Sequence, residues 1–181
     1  MGRVVLFAAV AALLLAPSAA SATPLERELV REINRVRAEH QRGPLQIDPV
    51  LQKAAGSHSS DMVRRGYFAH GDFEARMRRF GARGPLLGEN LAWGSGPYST
   101  AHALVGLWLE SPRHRANLLR RSFGRVGIGA VQARFQGVAG AVVVTADFAG
   151  PPRAATRPPA TPASPPPPSA RNRRALRAVA V

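Results

Sequence analysis

Three segments of the chain carry the side chains best suited to chemistry. His114 and Arg115 begin a short turn after Ser111-Pro112, where a proline at the first helical position fixes the direction of the chain. His70 follows two aromatic residues, which predicts a loop anchored by buried rings with the imidazole outside the core. We expect the loops that carry His70 and Glu89-Asn90 to converge on His114.

Glu89 has the sequence context of a buried carboxylate, because it stands between Gly88 and Asn90 and precedes an apolar triplet. Such a carboxylate needs a cation, a metal ion or several N–H donors. His58 lies on the apolar stripe of a predicted helix, which favours a hydrogen-bonded core residue over a ligand. The sequence contains neither an HExxH nor a GxSxG motif, and no pair of nucleophile and base stands out.

Five helices are predicted to position these residues. Thr23-Pro24 and Asp48-Pro49 combine an N-cap with a proline, and they begin helices that run to about His40 and to Gly66. The three later helices are Phe73–Phe80 after Asp72, one begun by Ser99 or Thr100 that carries Trp108, and a short one to about Leu119. In the Phe73–Phe80 helix, Phe73, Met77 and Phe80 form the inner face, and Arg76, Arg78 and Arg79 are assigned to the solvated side.

After Leu119 the hydrophobic pattern changes to a period of two. Val126, Ile128 and Ala130 alternate with glycines, and a second alternating run follows from Val142 to Phe148. This pattern predicts an antiparallel hairpin, with Gly127 and Gly129 allowing close approach of another segment. A hairpin alone is marginal, so a third strand is expected near Leu91 to Trp93. Helices followed by a hairpin indicate an α+β domain.

Composition divides the 181 residues into three parts. Residues 1–22 have a basic start, an apolar run of 12 residues and a small-residue cleavage site, which predicts a cleaved signal peptide rather than a transmembrane anchor. Residues 23–150 form the folded domain. Residues 151–181 are rich in Pro, Ala and Arg and predict a disordered tail. The tail is either a spacer or a segment attracted to anionic envelope polymer or membrane.

The overall charge and the cysteine count exclude further classes of site. The chain has 25 Lys and Arg residues against 11 Asp and Glu, but no aromatic–basic platform accompanies them. We therefore expect no nucleic-acid partner, and export also argues against one. Because the chain has no Cys, disulfides and thiolate metal sites are excluded.

The order of motifs between about Leu25 and Gly150 resembles one family. It is similar to the CAP superfamily, or SCP domain, of cysteine-rich secretory, antigen and pathogenesis-related proteins, in its bacterial branch without disulfides. The residues that carry the resemblance are Asn34, Arg37, Ala55, His58-Ser59, Asp61-Met62, Tyr67-Phe68-Ala69-His70, Gly88-Glu89-Asn90-Leu91-Ala92, Trp108, Ser111-Pro112, His114-Arg115-x-Asn117-Leu118-Leu119, Gly127-Ile128-Gly129 and Asp147-Phe148.

The resemblance implies a three-layer α-β-α sandwich with a small antiparallel sheet and a shallow central cavity. In many members two His and two Glu line that cavity and can hold a divalent metal. Carried over by motif, His70, Glu89 and His114 are the metal ligands, with zinc as a suitable ion, and Asn90 joins the cavity. The family's second Glu is replaced by Ser111, and Glu110, one residue before that position, is a further candidate for the cavity. A hydrogen-bonded network without metal is the alternative.

The resemblance leads to two hypotheses about function. The leading hypothesis is an exported, non-enzymatic binding module, secreted or held at the cell envelope, because the resembled family is linked to lipid or sterol binding and to cell-wall or host-facing roles. Leu86, Leu87, Leu91 and Trp93 are compatible with a lipid-like ligand and equally with plain core. The alternative is a metal-dependent hydrolase that acts on peptides or envelope components, with the metal activating water.

Overall fold

The computed structural model describes residues 22–151. The predicted signal peptide and the predicted tail therefore lie outside the described residues, except for one residue of each. The helices are α1 Pro24–Glu39, α2 Pro49–Arg65, α3 Phe73–Phe80, α4 Ala101–Glu110 and α5 Pro112–Leu118, with a 3-10 turn at Gly96–Ser99. The strands are β1 Gln46–Ile47, β2 Leu87–Gly94, β3 Arg125–Phe135 and β4 Val138–Ala149. Across the described stretch, no helix combines the length and the apolarity needed to cross a membrane.

The helix starts are set by the local signals that predicted them. Thr23 caps α1 in a reciprocal capping box with Glu26. The side chain of Asp48 accepts from the first backbone N–H groups of α2, and that of Thr100 accepts from Ala103 N in α4. Helix α2 ends at Gly66 in the left-handed conformation that glycine adopts at no steric cost. The predicted helices are therefore confirmed.

The sheet has four strands in the order β1-β3-β4-β2. Strands β3 and β4 form the predicted antiparallel hairpin, and β2 is the expected third strand, paired antiparallel with β4. The two-residue strand β1, parallel to β3, was not predicted, since two residues carry no periodicity. Because β2 has only one neighbouring strand, it is an edge of the sheet.

Helices cover both faces of this sheet, so the predicted three-layer sandwich is confirmed. On one face α1, α4 and α5 share a core cluster with the sheet, represented by Leu29, Trp108, Leu118 and Ile128. On the other face α2 and α3 pack, with Met62 against Leu91 and Val143. Strand β4 is consequently buried along most of its length on both faces.

Two glycines set the distance between α2 and the sheet. A Cβ built on Gly127 would lie 2.1 Å from Gln52 N, and one built on Gly129 would lie 2.2 Å from Gly56 N. Both obstacles are backbone atoms of α2, which cannot rotate away as a side chain can. The predicted close approach at these glycines is confirmed, and it brings His58 of α2 next to the sheet.

We expect Gly129→Ala to lower the free energy of unfolding by about 3 kcal/mol, because the added methyl group overpacks the helix–sheet contact. Chemical denaturation followed by circular dichroism measures this change. Gly106→Ala in α4 is the matched control, since a Cβ there meets nothing within 4 Å, and it should stabilise by about 0.5–1 kcal/mol. Equal effects of the two substitutions would contradict the close-approach argument.

Candidate functional site

Glu89 is the centre of the candidate site. Its side chain, in the edge strand β2, is only 2% exposed, which confirms the predicted burial. Oε1 accepts a hydrogen bond from His70 Nδ1 at 2.7 Å. Oε2 is paired with the guanidinium of Arg76 in α3 and lies 3.9 Å from His58 Nε2. Both carboxylate oxygens therefore have a partner, and one partner is a full positive charge.

Arg76 supplies the cation that the buried carboxylate requires, and its assignment to the solvated side of α3 was wrong. Its side chain is only 11% exposed. It stands three residues after Phe73 and four before Phe80, so it lies on the same helical stripe as these inward-facing rings. Its Nη1 also donates to the carbonyl of His70 at 3.1 Å, which fixes the loop that carries the imidazole.

His58 has the core role that its sequence position predicted. It is 3% exposed, and its Nε2 lies 3.0 Å from the carbonyl oxygen of Ala69. Burial, with Arg76 nearby, lowers its pKa against the opposing influence of Glu89. Its neighbour Asp61 turns away and accepts a hydrogen bond from Tyr67 Oη at 2.8 Å. His58 therefore anchors the loop that precedes His70.

Asp147 is a second buried carboxyl group that the sequence prediction missed. It is paired in register with Glu89 on the neighbouring strand and is 0% exposed. Neither of its carboxyl oxygens has a hydrogen-bond partner within residues 22–151. Burial and the adjacent charge of Glu89 raise the pKa of Asp147, which favours its neutral form. The sequence signal that could have found Asp147 is a carboxylate inside the mostly apolar run of a predicted strand.

His114 and Asn90 lie where β2 meets α5. Asn90 is fully buried, and its Nδ2 donates to the carbonyl oxygen of His114 at 3.0 Å. Asn117 donates to the carbonyl oxygen of Glu89 at 3.1 Å and to Asn90 Oδ1 at 3.0 Å. This confirms that the turn after Pro112 is held at a defined place beside Glu89.

The two imidazoles differ in electrostatic environment although they influence each other. The hydrogen bond with Glu89 raises the pKa of His70, whose side chain is 55% exposed. Burial, and then the charge of His70, lowers the pKa of His114. Glu110 is exposed at the last residue of α4 and makes no ion pair with the other described residues. The structure thus joins His70 directly to Glu89 and places His114 nearby.

The residues as arranged do not fit a bound metal ion. Within residues 22–151, no three His, Asp or Glu side chains form a group that could hold one. Both oxygens of Glu89 are occupied by His70 and Arg76, and the guanidinium would repel a divalent cation at the same place. The geometry instead matches the alternative of a hydrogen-bonded polar network, with Arg76 as its cation.

The apolar side chains considered for a lipid-like ligand are divided among three hydrophobic clusters. Leu86 packs against the cluster of α1, α4 and α5, and Leu87 packs beside Leu51 and Met77. Leu91 is 5% exposed and lies in a third cluster, against which Trp93 packs. Leu91 is thus a core residue, whereas Leu86, Leu87 and Trp93 are partly buried, and a lipid-like ligand stays a prediction.

Comparisons with known proteins assign the chain to one family. The family model described as the cysteine-rich secretory protein family, CAP, matches residues 30–148. The uncharacterized protein YkwD of Bacillus subtilis is 36% identical over 123 residues, which are 65% of this chain and 46% of that protein. The uncharacterized membrane protein YlbC of the same organism is 30% identical over 59% of this chain and 32% of its own length. This chain therefore spans less than half of either relative.

Solved structures show the same fold. An extracellular protein of Bacillus anthracis that contains a SCP domain is 28% identical, with a TM-score of 0.57, over 72% of this chain and 45% of that chain. An outer surface protein of Borrelia burgdorferi is 22% identical, also with a TM-score of 0.57, over 70% of this chain and 92% of its own. The second likeness is one of fold alone.

We expect NMR titration to place the pKa of His70 above 6.5 and that of His114 below 6.5, from the opposite causes given above. Glu89→Gln removes the negative charge and should lower the pKa of His70. Since the folded-state pKa of His70 is raised, its contribution to stability is complete below the unfolded-state pKa and is lost as pH rises through the folded-state value.

The matched control for this titration is Glu28→Gln, which changes an exposed carboxylate on α1 whose ion pair within residues 22–151 is with Arg31. That substitution should leave the titration of His70 unchanged. An identical shift in both variants would mean that general charge, rather than the hydrogen bond with Glu89, governs His70.

Proposed function

Because the chain belongs to the cysteine-rich secretory protein family, we propose that it is a non-enzymatic binding module that works at or outside the cell envelope. The signal peptide predicted for residues 1–22 supports export. A relative of known structure, the Bacillus anthracis protein, is extracellular. The basic composition of residues 151–181 supports contact with anionic envelope polymer.

The observation that carries this proposal is the burial of the Glu89 carboxylate between His70 and Arg76. A general base must lie within hydrogen-bond reach of its substrate. The side chain of Glu89 is 2% exposed, and each of its oxygens is already paired with His70 or Arg76. Glu89 therefore serves as a fixed anchor, and the exposed imidazole of His70 is the group that it orients toward ligand.

Zinc binding by His70, Glu89 and His114 was predicted from the resemblance and is untested, and so is a lipid or sterol ligand; we propose that in the unaltered chain Arg76 takes the place of the metal. If zinc were bound, it would supply a Lewis acid able to activate water, which is the chemistry of the hydrolase alternative. Arg76 would first have to release Glu89. The proposal accordingly assigns the position of the cation to the guanidinium of Arg76.

We expect zinc to leave the melting temperature of the full chain unchanged, and to raise that of Arg76→Ala, whose Glu89 is free to bind the metal. Thermal denaturation with and without zinc measures both, since a ligand that binds only the folded state raises its melting temperature. In the Arg76→Ala background, the added pair His70→Ala and His114→Ala should abolish the rise. A zinc-induced rise in the unaltered chain would contradict the proposal.

The binding function itself is tested with cell-envelope fragments from the organism that produces the protein. We expect the full chain to sediment with these fragments in a saturable manner while releasing no soluble peptide or sugar. Turnover that a chelator removes and zinc restores would establish the hydrolase instead.

The control for this experiment separates the folded domain from the basic tail. A variant with Arg171, Arg173, Arg174 and Arg177 changed to Ala keeps residues 23–150 intact. We expect it to bind with reduced affinity and the same lack of turnover. Complete loss of sedimentation in this variant would mean that the tail, and not the domain, is the binding element.

A further inference from the structure

A cleft of about 680 Å³ lies between α2 and α3, beside the Glu89 network. One wall is the face of α2 that carries Ser57 and Asp61. The other wall is α3, and the loop from Tyr67 to Asp72 closes one end. A volume of this size suits a small molecule or one group of a larger ligand.

Arginine dominates the charge of this cleft. Two carboxylates and four guanidinium groups line it, from Asp61, Asp72, Arg64, Arg65, Arg76 and Arg79. Burial lowers the pKa of His58, which also lines the cleft, so this imidazole is neutral near pH 7. Even when Glu89 is counted against Arg76, the positive charges exceed the negative ones by one.

The carboxylates of the cleft are already engaged. Asp61 accepts from Tyr67 Oη at 2.8 Å and pairs with Arg64 and with Arg65 at 3.4 Å. The carboxylate of Asp72 caps α3 by accepting from Ala75 N at 2.8 Å. Asp61 can offset only one of the two charges of Arg64 and Arg65, and neither Asp61 nor Asp72 pairs with Arg79 within residues 22–151.

Arg79 is the guanidinium without an anionic partner. It lies over the ring of Phe80 at 5.8 Å, and in the described part of the chain it makes no hydrogen bond or ion pair. Deeper in the cleft, Nε of Arg76 is a buried donor that has no acceptor within residues 22–151. By contrast, Arg78 on the same helix lies outside the cleft and is paired with Glu74 at 3.5 Å.

From this arrangement we infer that the cleft between α2 and α3 binds a phosphate ester, with Arg79 as its main cationic contact. The planar guanidinium matches phosphate oxygens in paired hydrogen bonds, and a diester carries the single negative charge that the cleft lacks. Ser57 and Ser60 provide neutral hydroxyl donors on the facing wall. The inference rests on the proposed binding function and assigns a ligand chemistry to it.

The test uses the full chain and two sources of phosphate. Soluble sn-glycero-3-phosphoglycerol, a phosphodiester with one negative charge, is titrated against glycerol as the uncharged control, and phosphatidylglycerol vesicles are compared with phosphatidylcholine vesicles, whose phosphate charge is balanced by a choline cation. NMR shifts of the Gly71 and Ala75 amides report occupation of the cleft by the soluble probe, and sedimentation reports binding to vesicles. Arg79-dependent binding in either arm supports the inference, and the arm that responds identifies the source.

We expect Arg79→Gln to weaken binding about tenfold, as loss of one charge-assisted contact does. Arg78→Gln removes the same charge outside the cleft, and it should weaken binding by less than about twofold, because exposed charges are screened. Melting temperatures of both variants verify that they fold. Equal weakening by the two substitutions would overturn the inference, since charge alone would then explain binding.

Absence of saturable binding in both arms would also overturn it. A chain that sediments with envelope fragments without Arg79-dependent phosphate binding would leave the proposed function standing and remove only this ligand. Conversely, chelator-sensitive turnover would remove the binding-module proposal, while the comparison of the Arg78 and Arg79 variants would still decide the chemistry of the cleft.

Discussion

The structure depends on neutralising a carboxylate that is buried in an edge strand. Glu89 loses its hydration in the sandwich, and a desolvated charge is expensive unless a counter-charge and hydrogen bonds replace water. Arg76 and His70 meet this requirement together, one from α3 and the other from the preceding loop. The polar centre therefore links the sheet to the helical layer beside it.

The close contact of α2 with the sheet makes this centre possible. Because Gly127 and Gly129 have no side chains, the helix backbone packs directly on β3. This places His58 within 3.9 Å of the Glu89 carboxylate and lets its ring nitrogen hold the carbonyl of Ala69. The loop that carries His70 is thus fixed at its start by α2 and near its end by Arg76. A rigid support of this kind suits a binding surface.

The opposite helical layer protects the edge of the sheet. The outward-facing carbonyls of Glu89 and Leu91 would be open to another strand, which is a common cause of association. Asn117 donates to the first carbonyl and Trp108 Nε1 to the second, at 3.1 and 2.9 Å. The segment from Trp108 to Leu119 consequently covers the edge of β2 while it sets the position of His114. Edge protection and site geometry depend on the same residues.

The sequence alone determined the helices, the hairpin, the burial of Glu89 and the order of motifs that indicates the family. Those features depend on local signals: an N-cap before a proline, the spacing of apolar residues, and a carboxylate beside a glycine. Only the tertiary structure decided that Arg76 turns inward, that Asp147 lies beside Glu89, and that α2 and α3 enclose an arginine-lined cleft. Each of these arrangements brings together groups from different elements, and their energies come from burial and charge that exist only once the layers have packed.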